Sequence, residues 1–356
     1  MLKKTPGLCL AAVIAAYFAL WLLVPRATFL PAILNHITAA MHHHHGVAAF
    51  ALAISAAILV SIPTIAFMAV QIAIVYFYSK LQWGWVRSAI ALAVCLAAVA
   101  GIMAIIVAHS GAAAKMHRSL TLREVFYVTS VFPHFLKLPM SVLIMLAAAS
   151  IGCLVSLRIK DRNLLLPVVM FAAWIDFWTV TKGPVAQMLK HAPEIAQTVS
   201  APIPKAGTGA FVPQTMVGPG DFLFMALVFA AALRLGMNGR RNYWFVTVAM
   251  TLGMLVVMSG ALEQLPALVV LALAVVAANI REFKLSKQEA ISIGIVAALL
   301  AASLPLVWWA LAPAKKAESA KPRVERKSSP LTKGGQRGVE NPTPGPRPPT
   351  PLGSAR

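Results

Sequence analysis

The chain has 356 residues, 59% of them hydrophobic and only 12% charged, with a mean hydropathy of +0.78. A soluble domain is nearer a quarter charged, so this composition excludes an ordinary soluble enzyme and places the chain in a membrane. The net charge of +20 would suit a nucleic-acid partner, but no motif of a nucleic-acid module accompanies it. The excess sits in a C-terminal tail and in turns between apolar runs, the way polytopic proteins set their orientation.

In chain order, Met1–Gly7 carries Lys3 and Lys4 ahead of an apolar run, Leu8–Val24. No small-residue cleavage site follows it, so it is predicted as a transmembrane helix rather than a signal peptide. Residues 27–46 read as a loop containing His42–His45. Imidazoles suit zinc, copper or nickel, but no carboxylate or cysteine neighbours the run, and no metal or other cofactor is called for. Gly46–Tyr78 is apolar for 33 residues. It reads as one long tilted helix kinked near Pro63, since two short spans would lack a polar turn between them. Lys80–Arg87 is a basic turn with Trp83 and Trp85 at interface depth, and Ser88–Ala108 is the next span. Residues 109–138 are polar and basic around a short apolar run, Val125–Phe135. That run is too short to cross and is predicted to be interfacial or re-entrant.

Pro139–Leu157 spans and is followed by the basic turn Arg158–Arg162. Leu164–Thr181 is the next span, and residues 182–220 form a long proline-rich loop. Asp221–Met237, Tyr243–Met258, Leu265–Ile280 and Ile291–Leu311 complete the set. The three cysteines, Cys9, Cys95 and Cys153, lie in apolar segments without pairing or ligand spacing and read as small core residues. After Pro313 come ten Lys/Arg and three Glu among Pro, Gly and Ser, the composition of a disordered tail. The chain thus divides into an N-terminal transmembrane region (1–138), a second transmembrane region (139–312) and the tail (313–356). The expected fold is all-α and polytopic, with about nine transmembrane helices. The basic turns Lys80–Arg87, Arg158–Arg162, Arg234–Arg241 and Arg281–Lys287 then share the side of the N-terminus. The positive-inside rule makes that side cytoplasmic.

Only three aspartates occur: Asp161, Asp176 and Asp221. Asp161 lies in a basic turn. The other two belong to apolar stretches, where an Asp costs roughly 2.5–3.5 kcal/mol on insertion scales and marks a functional site by default. Two carboxyls close together in low dielectric cannot both ionise and can share a proton. Taken singly, the residues have plainer readings. Asp221 is a good helix N-cap, Gly218 and Gly220 are turn residues, and Pro266 marks a first helical turn. Asp176 has no basic residue within its own span, and its plainer role is a hydrogen-bonding partner for a neighbouring helix.

Three segments occur in order in three successive apolar regions: Trp174-Ile175-Asp176-Phe177-Trp178, Gly218-Pro219-Gly220-Asp221, and Gln264-Leu265-Pro266-Ala267-Leu268. Together they resemble the signature motifs of the presenilin and signal peptide peptidase superfamily of intramembrane aspartyl proteases, over roughly residues 140–282. The chain departs from the family at Ile175, where a Tyr is usual, and at Val269, where presenilins carry a second Pro. The paired cysteines expected of prepilin peptidases, which also use a GxGD box, are missing.

The resemblance implies a presenilin-like fold and a bacterial-like member of the superfamily, in the bacterial inner (plasma) membrane. Asp176 and Asp221 would activate water on a peptide bond. The helix dipole favours an anion at Asp221, which suggests Asp221 as base and Asp176 as acid. Gly218 and Gly220 would let a substrate backbone come close, and Leu265, Pro266, Ala267 and Leu268 would support it. Gly209–Val217 could hold it by strand addition. Substrates would be single-span membrane proteins or signal peptides, with membrane lipid as the surrounding partner and no nucleic acid. The competing readings are a proton-coupled transporter using the aspartates as a relay, although no internal repeat is found, and an inactive scaffold of the same fold.

Overall fold

The computed structural model describes residues 5–27, 29–43, 47–111, 120–131, 136–181, 183–208, 213–258 and 265–310. The tail, Gln264, His44 and His45, and the first part of Gly209–Val217 lie outside the described residues. The fold is mostly helical. In chain order the helices are α1 (Pro6–Leu23), α2 (Phe29–His43), α3 (Val47–Ser79), α4 (Trp85–Ser110), α5 (Leu122–Val131), α6 (Lys137–Ser156) and α7 (Leu165–Thr181). They continue with α8 (Pro184–His191), α9 (Pro193–Val199), α10 (Pro219–Arg234), α11 (Gly239–Met258), α12 (Ala267–Asn279) and α13 (Lys287–Ala310). Two short strands, β1 (Ala201–Pro204) and β2 (Pro213–Val217), pair antiparallel with a register irregularity between Ile203 and Pro204.

Among the described residues four helical segments are long and apolar enough to cross a membrane: Pro6–Leu23, Ser61–Ser79, Trp85–Ser110 and Lys137–Ser156. Leu165–Thr181 and Ala267–Asn279 are shorter apolar helices. The outward faces carry large apolar side chains, among them Val94, Leu96 and Ile105 on α4 and Ile291, Ile295 and Leu299 on α13. Such a face has no solvent role and suits a lipid environment.

Two expectations need correction. Residues 27–46 are not a loop, since Phe29–His43 forms α2, which packs along α3. Residues 182–220 are not a plain loop either. They hold α8, α9, both strands and the first turn of α10. α3 runs unbroken through Pro63, as one helix rather than two. The short apolar run after residue 120 forms α5, which is tied to α8 and α9. Arg123 Nε donates to Glu194 at 2.7 Å, and Thr198 donates to the Phe126 carbonyl at 3.2 Å.

The centre is built on α10, whose Phe222, Met225–Phe229, Ala231 and Ala232 are buried. α10 lies chiefly against α6. Gly152 on α6 explains how closely: an added Cβ would stand 2.1 Å from the Leu223 carbonyl oxygen and 2.9 Å from Ala226 Cβ. Small residues at helix interfaces let backbones approach where lipid gives no hydrophobic drive for association. Buried polar groups then pair across helices. Tyr78 and Ser150 share a 2.6 Å hydrogen bond, and Asn242 and Asn279 exchange amide bonds at 2.9 and 2.6 Å.

The basic turns meet at one end of the bundle. Arg162 Nε donates to the Leu235 carbonyl at 2.9 Å, Asn163 to the Lys284 carbonyl at 3.0 Å, and Arg241 pairs with Glu282. Arg158 lies over the Trp85 ring, 5.8 Å from its centroid.

Candidate active site

Asp221 is delivered by the start of α10. Gly218 is extended (φ −72°, ψ 153°) and caps the helix, and Pro219 occupies the first turn, where its missing N–H costs nothing. Asp221 is therefore not the N-cap, as its lone reading suggested, but the third helical residue. Its Oδ2 accepts the Gly218 N–H at 3.2 Å, the reciprocal half of a capping box. An acidic side chain in a first turn is also favoured by the helix dipole.

Neither glycine of the box is there for backbone strain. Among the described residues the positive-φ glycines are Gly111, Gly207 and Gly236. A Cβ at Gly218 would make only an ordinary contact with Asp221 Oδ2 at 3.6 Å, and one at Gly220 would meet nothing within 4 Å. Gly220 thus leaves its own side of the first turn of α10 open.

Asp176 projects from α7, which packs along α12. Its Oδ2 accepts the backbone N–H of Leu268 at 2.9 Å. Leu268 is in the first turn of α12, where N–H groups have no intrahelical acceptor, so the carboxylate satisfies one and gains the positive helix end. The helix begins at Ala267 rather than Leu265. Pro266 caps it in an extended conformation (φ −64°, ψ 99°), and Leu265 leads into it. The first motif is thereby joined to the third by a direct bond across 92 residues. Asp221 is brought to the same segment, since it shares a cavity wall with Leu265 and Ala267.

No family model, curated protein or solved structure matches this chain.

A cavity of about 250 Å³ opens beside Asp221, with Asp221, Leu265 and Ala267 in its wall; Asp176 is not in that wall. Gly218, Gly220, Pro266 and Leu268 flank it through their neighbours but are not in the wall. Thr215–Val217 of β2, the end of the stretch expected to hold a substrate, also line it, whereas sequence reasoning missed Met68 of α3 and Met250, Gly253 and Met254 of α11. Methionines in apolar helices carry no signal that separates a cavity wall from packing. Gly253 left a trace: a Cβ there would come within 2.7 Å of Leu265 Cδ2. Among the described residues no cluster of three metal-ligating side chains occurs.

Proposed function

We propose that the chain is an intramembrane aspartyl protease of presenilin-like fold that cuts transmembrane segments with the Asp176–Asp221 pair. The observation that carries this reading is the convergence of the three motifs. Asp176 is bound by the backbone N–H of Leu268 in the Pro-Ala-Leu segment, and Asp221 of the GxGD box shares a cavity wall with Leu265 and Ala267 of that same segment. Each carboxyl has one oxygen held by a backbone N–H, which fixes its orientation, and Asp221 faces the cavity.

In the proposed cycle the ionised carboxyl of the pair takes a proton from a water that attacks the peptide carbonyl carbon, while its protonated partner gives its proton to the carbonyl oxygen. The resulting gem-diol then returns a hydroxyl proton to that partner. The first carboxyl protonates the amide nitrogen, the C–N bond breaks, and the pair is restored to one proton. A helix satisfies its own backbone bonds, so the substrate must be unwound before a carbonyl is exposed. β2, immediately before the GxGD box, offers a strand edge for that.

The accompanying topology is nine spans with the basic end cytoplasmic, in the bacterial inner membrane, with single-span proteins or signal peptides as substrates.

The test is cleavage of a model single-span substrate by Asp176→Asn and Asp221→Asn. Each keeps shape and hydrogen bonding but cannot hold the shared proton. Each single variant is expected to be inactive, with the double no worse, because residues acting as one unit are non-additive. Wild-type protein that cleaves nothing but carries pH-dependent flux would make the chain a transporter. Retained cleavage in either variant would remove the aspartates from the chemistry.

A further inference from the structure

The cavity beside Asp221 is far larger than the roughly 10–15 Å³ that a single water needs on the same measure, and its chemistry is one-sided. Four methionines from three elements line it: Met68 of α3, Met216 of β2, and Met250 and Met254 of α11. Five valines with Leu265 and Ala267 complete the apolar wall, and its polar members are Asp221 and Thr215, whose hydroxyl lies 4.0 Å from Met254 Sδ.

Its position relative to β2 is informative. Successive residues of a strand point to opposite faces, yet Thr215, Met216 and Val217 all line the cavity. The cavity therefore runs along an edge of β2 rather than over one face, while β1 occupies the other edge. A chain laid along that edge would place a side chain in the cavity and its backbone beside Asp221.

We infer that this cavity is a methionine-walled side-chain pocket that takes one bulky apolar residue of an extended chain held on β2, and so selects the bond that is cut. The inference rests on the protease reading for the word "cut", but the pocket can be tested without turnover. Methionine is unbranched, polarizable and adaptable, so the pocket accepts Leu, Phe or Met alike. It demands bulk and rejects charge, because an ionised side chain would be stranded in an apolar wall. Gly253 keeps it open: with no Cβ, α11 can close on Leu265 without pushing that side chain inward.

The experiment uses the full chain in detergent carrying Asp176→Asn, with Asp221 intact. Binding is measured for fluorescent capped peptides that differ at one position, Phe, Leu, Ala or Asp. Phe and Leu peptides are expected to bind at least about ten-fold tighter than Ala, with Asp weakest. Met254→Trp, which fills the cavity, should erase the preference. Met250→Ala, which enlarges it, should move the optimum from Phe towards Trp and serves if the tryptophan variant does not fold. Equal binding of Phe and Ala, or a preference unchanged in the folded variants, overturns the pocket. Mapping cleavage of the same peptides by the wild type separates the two ideas. A preference in binding without any cleavage keeps the pocket and sinks the protease. Cleavage indifferent to the varied side chain keeps the protease and sinks the pocket.

Discussion

Gly220→Ala separates access from folding. Gly220 is the second residue of α10 and is exposed, with no atom within 4 Å of where a Cβ would stand. A glycine inside a helix is less stable than alanine by roughly 0.5–1 kcal/mol, so the fold should gain up to about that amount and the melting temperature should not fall. The added methyl group lies on the exposed side of the first turn of α10, and in the protease reading a substrate backbone passes over that turn. If it blocks that approach, kcat/KM for a single-span substrate should drop at least about ten-fold, equivalent to about 1.4 kcal/mol of lost transition-state stabilisation. Thermal unfolding and substrate cleavage would be measured on the same preparation. Full activity in Gly220→Ala would refute the access argument and reduce the glycine to a tolerated helix residue. A lowered melting temperature would instead assign it a packing role that the geometry denies.

Gly152→Ala should act the other way. Its Cβ cannot fit against Leu223 and Ala226, so α6 and α10 must part, costing about 1–3 kcal/mol as overpacking does and displacing Asp221 with them; thermal unfolding reads this. Reporter fusions after Lys160, Lys205 and Lys284 should read inside, outside and inside, and an inside signal at Lys205 would reverse the proposed orientation. The clasp between α5 and α9 depends on Glu194, held below its ordinary value of 4.5 by a backbone hydrogen bond first and by Arg123 second. A depressed carboxyl contributes above its unfolded value and is lost as pH falls through the folded one. Amide exchange in 184–199, corrected for intrinsic rate, should therefore quicken below pH 4.5. Arg123→Ala should remove the part of that dependence due to the ion pair.

The long apolar runs were legible because nothing but lipid or a buried core accepts them, and the basic turns because charge must leave the bilayer. α2 was hidden by Pro31, Asn35, His36 and Thr38, which interrupt its apolar pattern and read as turn chemistry. β1 was hidden by Pro202 and Pro204, residues confined to sheet edges and bulges. They are tolerated here in a two-stranded pair whose register shifts at Pro204. At the site, the two aspartates announced themselves by the cost of placing them among apolar residues. The bond from Leu268 to Asp176 did not, since nothing local at either residue encodes a partner 92 positions away.

Helix length bears on the bilayer around the molecule. α12 has 13 residues and rises about 20 Å, α10 with 16 about 24 Å, and α7 with 17 about 25 Å. α4, with 26 residues, rises about 39 Å. The three helices that carry the candidate site are all shorter than the hydrocarbon core of about 30 Å, and a bilayer accommodates such short helices by thinning locally or by snorkelling of flanking side chains. A lipid-embedded helix drifting from the tall side to the short side would lose hydrocarbon cover at its ends. Water would reach its last turns there, and part of the work of opening its backbone would fall to the membrane itself.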